Sequence, residues 1–216
     1  MKITLEPYTP AWKEQFQQQR SRINQAIAPL NPVIEHIGST AIGNIVAKPI
    51  IDILVGLHES HLLDATIAPM LAAGYTYVEA FNQAMPYRRF YVQLKALSDA
   101  ELPTILKPDQ PLAFGQDYLS TVNIHVITYG PYHWVRHVAF RDYLIAHPEI
   151  REAYQALKQR IVEIDFEDLL DYNGHKEAFI LEVQAKAIAW FLEQPENEIF
   201  QAAIAPHSST SASTSR

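Results

Sequence analysis

Residue types that can hold or move a phosphate gather in one stretch of this chain: Gly38, Ser39 and Thr40, then Lys48, then Asp52 within the apolar run IIDILVG (50–56). A glycine lets a ligand come close to backbone, and the start of a following helix offers free N–H groups to anions. Lys48 can aim its ammonium at a ligand phosphate or at Asp52. An acid amid apolar strand residues has to be hydrogen-bonded, ion-paired or metal-bound, because its uncompensated desolvation amounts to several kcal/mol. Asp52 therefore demands a partner. Gly38 and Ser39 read on their own as a tight turn with a capping serine, and Asp52 downstream is what gives them a functional reading.

Other candidates lie further along. His125 sits in VNIHVIT (122–128), a strand suited to run beside the one carrying Asp52. Arg88 and Arg89 open the run RRFYVQL (88–94); by alternation one of them faces the cleft as a phosphate or carboxylate partner while the other faces the surface. His36 sits between Glu35 and Ile37 in an apolar segment, where a histidine is commonly a satisfied core residue. His133 and His137 have the i,i+4 spacing of two helical metal ligands, but HExxH, with its glutamate between them, is not present.

These residues need a scaffold of helices and strands. Thr9 and Pro10 precede Trp12, Phe16, Ile23, Ile27 and Leu30 at helical spacing, which predicts a helix from about residue 10 to 28. VIEHIG (33–38) predicts a short strand and 50–56 a central one buried on both faces. Leu62, Leu63, Ile67, Met70 and Leu71 predict a helix ended by Gly74, followed by strands at 75–80 and 88–94. Residues 96–118, with three prolines, predict a long loop or lid. From Trp134 the pattern is helical in three segments, the second starting at Pro148. The expected division is one domain over 1–194 and a disordered Ser/Thr/Ala-rich tail over 195–216.

With 48% hydrophobic residues in 216, the chain can bury a substantial core. Its formal net charge of −7 argues against duplex nucleic acid as a partner, since no broad cationic field is there to release counterions. The absence of cysteine removes disulfides and thiolate metal sites. No apolar run approaches the ~20 residues that cross a bilayer, and the first residues lack a signal-peptide pattern. A cytoplasmic protein with no membrane partner is the expectation.

The opening ITLEPY, a helix starting at Pro10-Ala11-Trp12, the block IEHIGSTAIGNIVAKPIIDI (34–53), then NIHVI (123–127), FRDYL (140–144) and Lys176 ahead of Phe179-Ile180 closely resemble the GrpB family, over roughly residues 3–190. The resemblance implies an α/β (α+β) fold of nucleotidyltransferase type, a mixed β-sheet flanked by helices with further helices at the C-terminus. In that wider superfamily a Gly-Ser turn precedes a strand bearing two carboxylates one residue apart, and a third comes from a neighbouring strand. Together they hold two metal ions that clamp the attacking and leaving oxygens. Here Gly38-Ser39 and Asp52 match, but Leu54 stands where the second acid is needed. NIHVI supplies Asn123 and His125 in place of a third acid, where the family often has His-x-His. Asp52 with His125, and Glu35 or His36 beside them, makes a poor two-metal site for Mg²⁺ or Mn²⁺, and a one-metal or metal-free site fits better. The resemblance also raises Arg141 and Lys176 as cleft residues.

Three functions are consistent with this pattern. The first is a nucleotidyltransferase-like protein that binds a nucleotide or other phosphorylated ligand and transfers a nucleoside monophosphate, with Asp52 and His125 catalytic and metal-holding. The second is a non-catalytic ligand-binding module with a degenerate metal site. The third is a metal-dependent phosphoesterase built on Asp52 and histidines.

Overall fold

The computed structural model describes residues 4–97, 99, 101–163 and 169–204. The first helix, α1 (Ala11–Ile27), begins where the Thr9 hydroxyl accepts the Ala11 amide at 3.3 Å, and its buried stripe is Trp12, Phe16, Ile23 and Ile27. There follow β1 (Val33–Ile37), a single helical turn α2 (Ser39–Ile42), β2 (Ile51–Leu57), α3 (Ile67–Ala72), β3 (Thr76–Val78), β4 (Arg88–Ala96), β5 (Ile105–Leu106) and β6 (Tyr118–Thr128). Helices α4 (Tyr132–Ala146), α5 (Pro148–Ile161), α6 (Leu169–Glu193) and α7 (Gln201–Ile204) complete the chain.

The strands form one mixed sheet in the order β1-β2-β6-β4-β3-β5. β2 runs parallel to β6 at its centre, while β1 and β4 flank that pair antiparallel. Strand alternation sends Ile51, Ile53, Val55 and Leu57 to one face, where with Ile124, Val126 and Tyr91 they meet Trp12, Phe16 and Ile23 of α1 and Met70 of α3. Leu54, Ile37 and Ile127 face the other way, onto Trp134, Val135 and Val138 of α4 and Ala187 and Phe191 of α6. A helix layer on each face thus buries the central strands twice, as their continuous apolar run anticipates. Gly56 makes the second layer fit, since a β-carbon there would lie 2.6 Å from the Trp134 ring. The α/β (α+β) mixed sheet flanked by helices, with helices at the C-terminus, is therefore the observed fold.

The boundaries differ from expectation in four places. The helix predicted from Leu62 opens with two 3₁₀ turns, Ser60–Leu62 and Asp64–Thr66, before α3. There the Thr66 hydroxyl bonds back to the Leu63 carbonyl at 2.6 Å, and Pro69 lacks an N–H to donate. β3 stops at Val78 and passes into a 3₁₀ turn over Glu79–Phe81. The segment 96–118 carries β5, paired parallel to β3, and its last residue opens β6. Finally, Pro195–Phe200 and α7 are helical where an unordered tail was expected, because Phe200 docks within 5.7 Å of the Tyr129 ring and 5.8 Å of Phe191. The remainder of that predicted tail, 205–216, lies outside the described residues. No helix among the described residues is long and apolar enough to cross a membrane.

Candidate functional site

β1 ends at Ile37 and pairs Ile37 with Asp52, so the turn that follows passes directly over the Asp52 carboxylate. Gly38 takes φ 73° there, and a β-carbon would stand 2.9 Å from Asp52 Cβ and closer still to its carboxylate. No other residue fits both constraints. Across the parallel pair Asp52 sits beside Asn123, whose Nδ2 donates to Asp52 Oδ1 at 2.9 Å. The asparagine that departs from an expected ligand pattern is thus the partner Asp52 demands. Burial raises the Asp52 carboxyl above its ordinary range, while Asn123, Lys48 and Lys176 pull it back.

A cleft of about 400 Å³ opens above this pair. Gly38, Ser39, Thr40 and Lys48 line one side, as the sequence suggests, and α5 and α6 supply Tyr154, Lys158 and Lys176. Tyr154 is hydrogen-bonded to Ser39, and burial pushes its phenol up to about 12. Lys158 lies over the Tyr154 ring, 4.7 Å from its centre, and donates to the Val46 carbonyl. Lys158 is 2% exposed and Lys176 8%. Burial alone brings Lys158 down to about 7. Lys176 comes down to about 7 through burial and the neighbouring Lys48 and Lys158, with Asp52 acting the other way. Burial likewise lowers Lys48, opposed by Asp52.

The far end of the cleft is walled by Phe81, Met85 and Phe90, and is reached by Arg88 and His125. Arg88 Nη1 lies 3.0 Å from His125 Nδ1. A guanidinium only donates, so that nitrogen accepts and the neutral ring carries its proton on Nε2. Burial, then Arg88, His137 and Arg136, hold His125 well below the usual histidine value.

Several candidates lie elsewhere. Arg89 points to the opposite face of β4, where it pairs with Asp64 and donates to the Pro86 carbonyl at 3.1 Å. It is the surface member of the arginine pair. Arg141 does not line the cleft either. It clamps β1 to α4 by bonding Glu35 Oε2 at 2.7 Å and the His36 carbonyl at 2.9 Å. That contact places Glu35 in an ion pair. His36 is a structural residue, stacked on Phe16 with ring centres 4.6 Å apart and bonded through Nε2 to the Thr40 hydroxyl at 3.0 Å. His133 stacks on Tyr87, and His137 abuts His125 with ring centres 5.6 Å apart.

The donors do not fit a two-metal clamp. Among the described residues Asp52 is the one carboxylate in the cleft lining, Leu54 faces the core beneath α4, and His125 gives one nitrogen to Arg88. Among the described residues no three His, Asp or Glu side chains cluster to hold a metal ion.

Tyr154, Lys158, Phe81 and Met85 are site residues that sequence reasoning passed over. Tyr154 and Lys158 are one helical turn apart, and the apolar period of their segment made Tyr154 read as core. A lysine on that buried stripe was the available signal.

Comparison with known proteins shows the family to which the chain belongs. The model of the GrpB family, described as GrpB protein, matches residues 2–186. The glutamate-rich protein GrpB of Alkalihalophilus pseudofirmus is 30% identical over 181 residues, 84% of this chain and 93% of that one. A crystal structure of conserved protein GrpB from Enterococcus faecalis superposes with a TM-score of 0.68 at 28% identity, covering 88% of this chain and all of the other. A dephospho-CoA kinase of Mycobacterium bovis is 26% identical over 197 residues, 86% of this chain and 46% of the kinase. By the extent of these matches, the chain belongs to the GrpB family.

Proposed function

We propose that the cleft binds a small phosphorylated ligand, a nucleotide or a compound of similar size, whose anionic groups face Lys48, Lys158, Lys176 and Arg88. The observation that carries this reading is the convergence of those four cations, from the β1–β2 connection, α5, α6 and β4, on a cleft whose lining, among the described residues, holds one carboxylate. Lys158, buried against the Tyr154 ring with a backbone carbonyl as its hydrogen-bond acceptor, is a cation whose charged form a bound anion would favour. The volume of about 400 Å³ suits such a ligand, within the ~300–1,000 Å³ common for small-molecule sites. Phe81, Met85 and Phe90 offer an apolar wall to its organic part.

A second reading, transfer of a nucleoside monophosphate, is favoured by Asp52, an acid of raised proton affinity at the cleft floor, on the sheet face that also carries neutral His125. The name of the kinase relative is compatible with phosphate chemistry. This chain spans 46% of that protein, so the kinase's activity does not carry over.

Calorimetric titration with each of the four nucleoside triphosphates and with pyrophosphate, in EDTA and then in Mg²⁺ or Mn²⁺, separates the two readings. The proposal expects binding in EDTA. Failure of every probe in every condition overturns it. Strictly metal-dependent binding with turnover that Asp52→Ala abolishes replaces it by the transferase reading.

A further inference from the structure

Arg88 differs from the other cations of the cleft. Among the described residues it forms no ion pair: its Nη1 meets only the neutral His125 nitrogen, and its Nε is buried with no hydrogen-bond partner. The guanidinium lies against Phe90, 4.8 Å from the ring centre, and 5.9 Å from Phe81. Another arginine, Arg136, lies near it; burial foremost brings its proton affinity down to about 10, with Tyr87 opposing the effect and Arg136 adding to it. A half-buried guanidinium beside aromatic rings, a neutral imidazole and a second arginine lacks, among the described residues, the counter-charge that ions drawn out of water require. An unmade hydrogen bond at Nε adds a further penalty.

This end is set apart from the lysine end. Lys48 and Lys176 act on Asp52, in the row of the sheet that joins Asp52 to Asn123. Arg88 reaches His125, two residues further along β6, a rise of roughly 7 Å. Phe90 stands opposite His125 and is part of the cleft wall.

Resting on the reading of the cleft as a site for phosphorylated ligands, we infer that it is bipartite. It takes a ligand with two separated anionic groups, a phosphate among Lys48, Lys158 and Lys176 and a second anion, carboxylate or phosphate, at Arg88. The second anion accepts from the unpartnered Nε and supplies the missing counter-charge.

Matched pairs of compounds test this by calorimetry at fixed ionic strength: fructose 1,6-bisphosphate against fructose 6-phosphate, adenosine 3′,5′-bisphosphate against AMP, and 3-phosphoglycerate against glycerol 3-phosphate. The last pair reports a carboxylate at Arg88 and the others a phosphate. In at least one pair the bis-anion is expected to bind tenfold or more tightly than its partner. Arg88→Gln is expected to erase that preference by weakening the bis-anion far more than the mono-anion, and Arg88→Lys to keep part of it. Lys176→Gln weakens both members alike. The melting temperature of ligand-free Arg88→Gln should equal or exceed that of wild type, because a charge held for a ligand does not stabilise the empty fold; a clear drop assigns Arg88 to structure and overturns the inference. Equal affinity within every pair also overturns it, and leaves the phosphate-binding reading standing if the mono-anions still bind. No binding by any of the six compounds overturns it as well, and nucleoside triphosphate binding then decides separately whether the broader reading survives.

Discussion

Two lysines buried in the cleft, Lys158 and Lys176, make the empty protein's stability depend on pH in a definite direction. Lys158 and Lys176 lose their protons near 7 when folded, against 10.5 for an ordinary lysine. Between those values the unfolded chain binds more protons than the folded one, so ligand-free stability rises as pH increases from about 7 to about 10.5. Lys158→Met is expected to raise the urea midpoint at pH 7 and to flatten that rise; an unchanged slope contradicts the assignment. A bound phosphate favours the charged amines, so binding takes up protons. Affinity for ATP should level off below about pH 7 and fall above it, as isothermal titration in buffers of different ionisation enthalpy reports directly. Leu54 carries a separate expectation. It is fully buried between the sheet and α4. Leu54→Asp, which restores the second acid of the superfamily pattern, should therefore destabilise by more than about 3 kcal/mol rather than create a metal site. Near-wild-type stability in urea together with stoichiometric Mn²⁺ binding contradicts this.

At the scale of elements, alternation along β4 decides which arginine matters. Arg89→Ala breaks its ion pair with Asp64, whose side chain is 67% exposed, and should lower stability by less than about 1 kcal/mol while leaving ATP affinity unchanged. A loss of affinity comparable with that of Arg88→Gln sinks the assignment. That one arginine of the pair faces the cleft was legible from period-two alternation, but which one was not, because the phase depends on pairing with β6. Asp52, Gly38 and the central strand were legible because an acid in an apolar run and a Gly-Ser turn are local signals. Lys158 was not, because only the packing of α5 beside the Gly38-Ser39 turn turns a helical lysine into the cleft. Phe200 was hidden by its polar surroundings, and what orders it is contact with Tyr129 and Phe191, far away in sequence or a helix earlier. Phe200→Ala is expected to cost about 3 kcal/mol by urea unfolding, where a residue of an unordered tail would cost nothing measurable.

At the scale of the molecule, a chain of net charge −7 concentrates four cations in one cleft, so its electrostatics are local rather than global. The overall composition argues against a nucleic-acid backbone, and the cleft argues for a small anion. The sheet order explains how this arises: β2 and β6 run parallel at the centre and set Asp52 beside Asn123, while β4 brings Arg88 from the other side. The fold class was readable from periodicity and from family resemblance, whereas the cleft's charge was not, since its cations come from residues 48, 88, 158 and 176, far apart in the chain. The most direct test of the central claim is a crystal structure of the protein grown with saturating ATP in the presence of EDTA. The account predicts phosphate density between Lys48, Lys158 and Lys176, above Asp52. An empty cleft, or phosphates bound elsewhere on the surface, contradicts it.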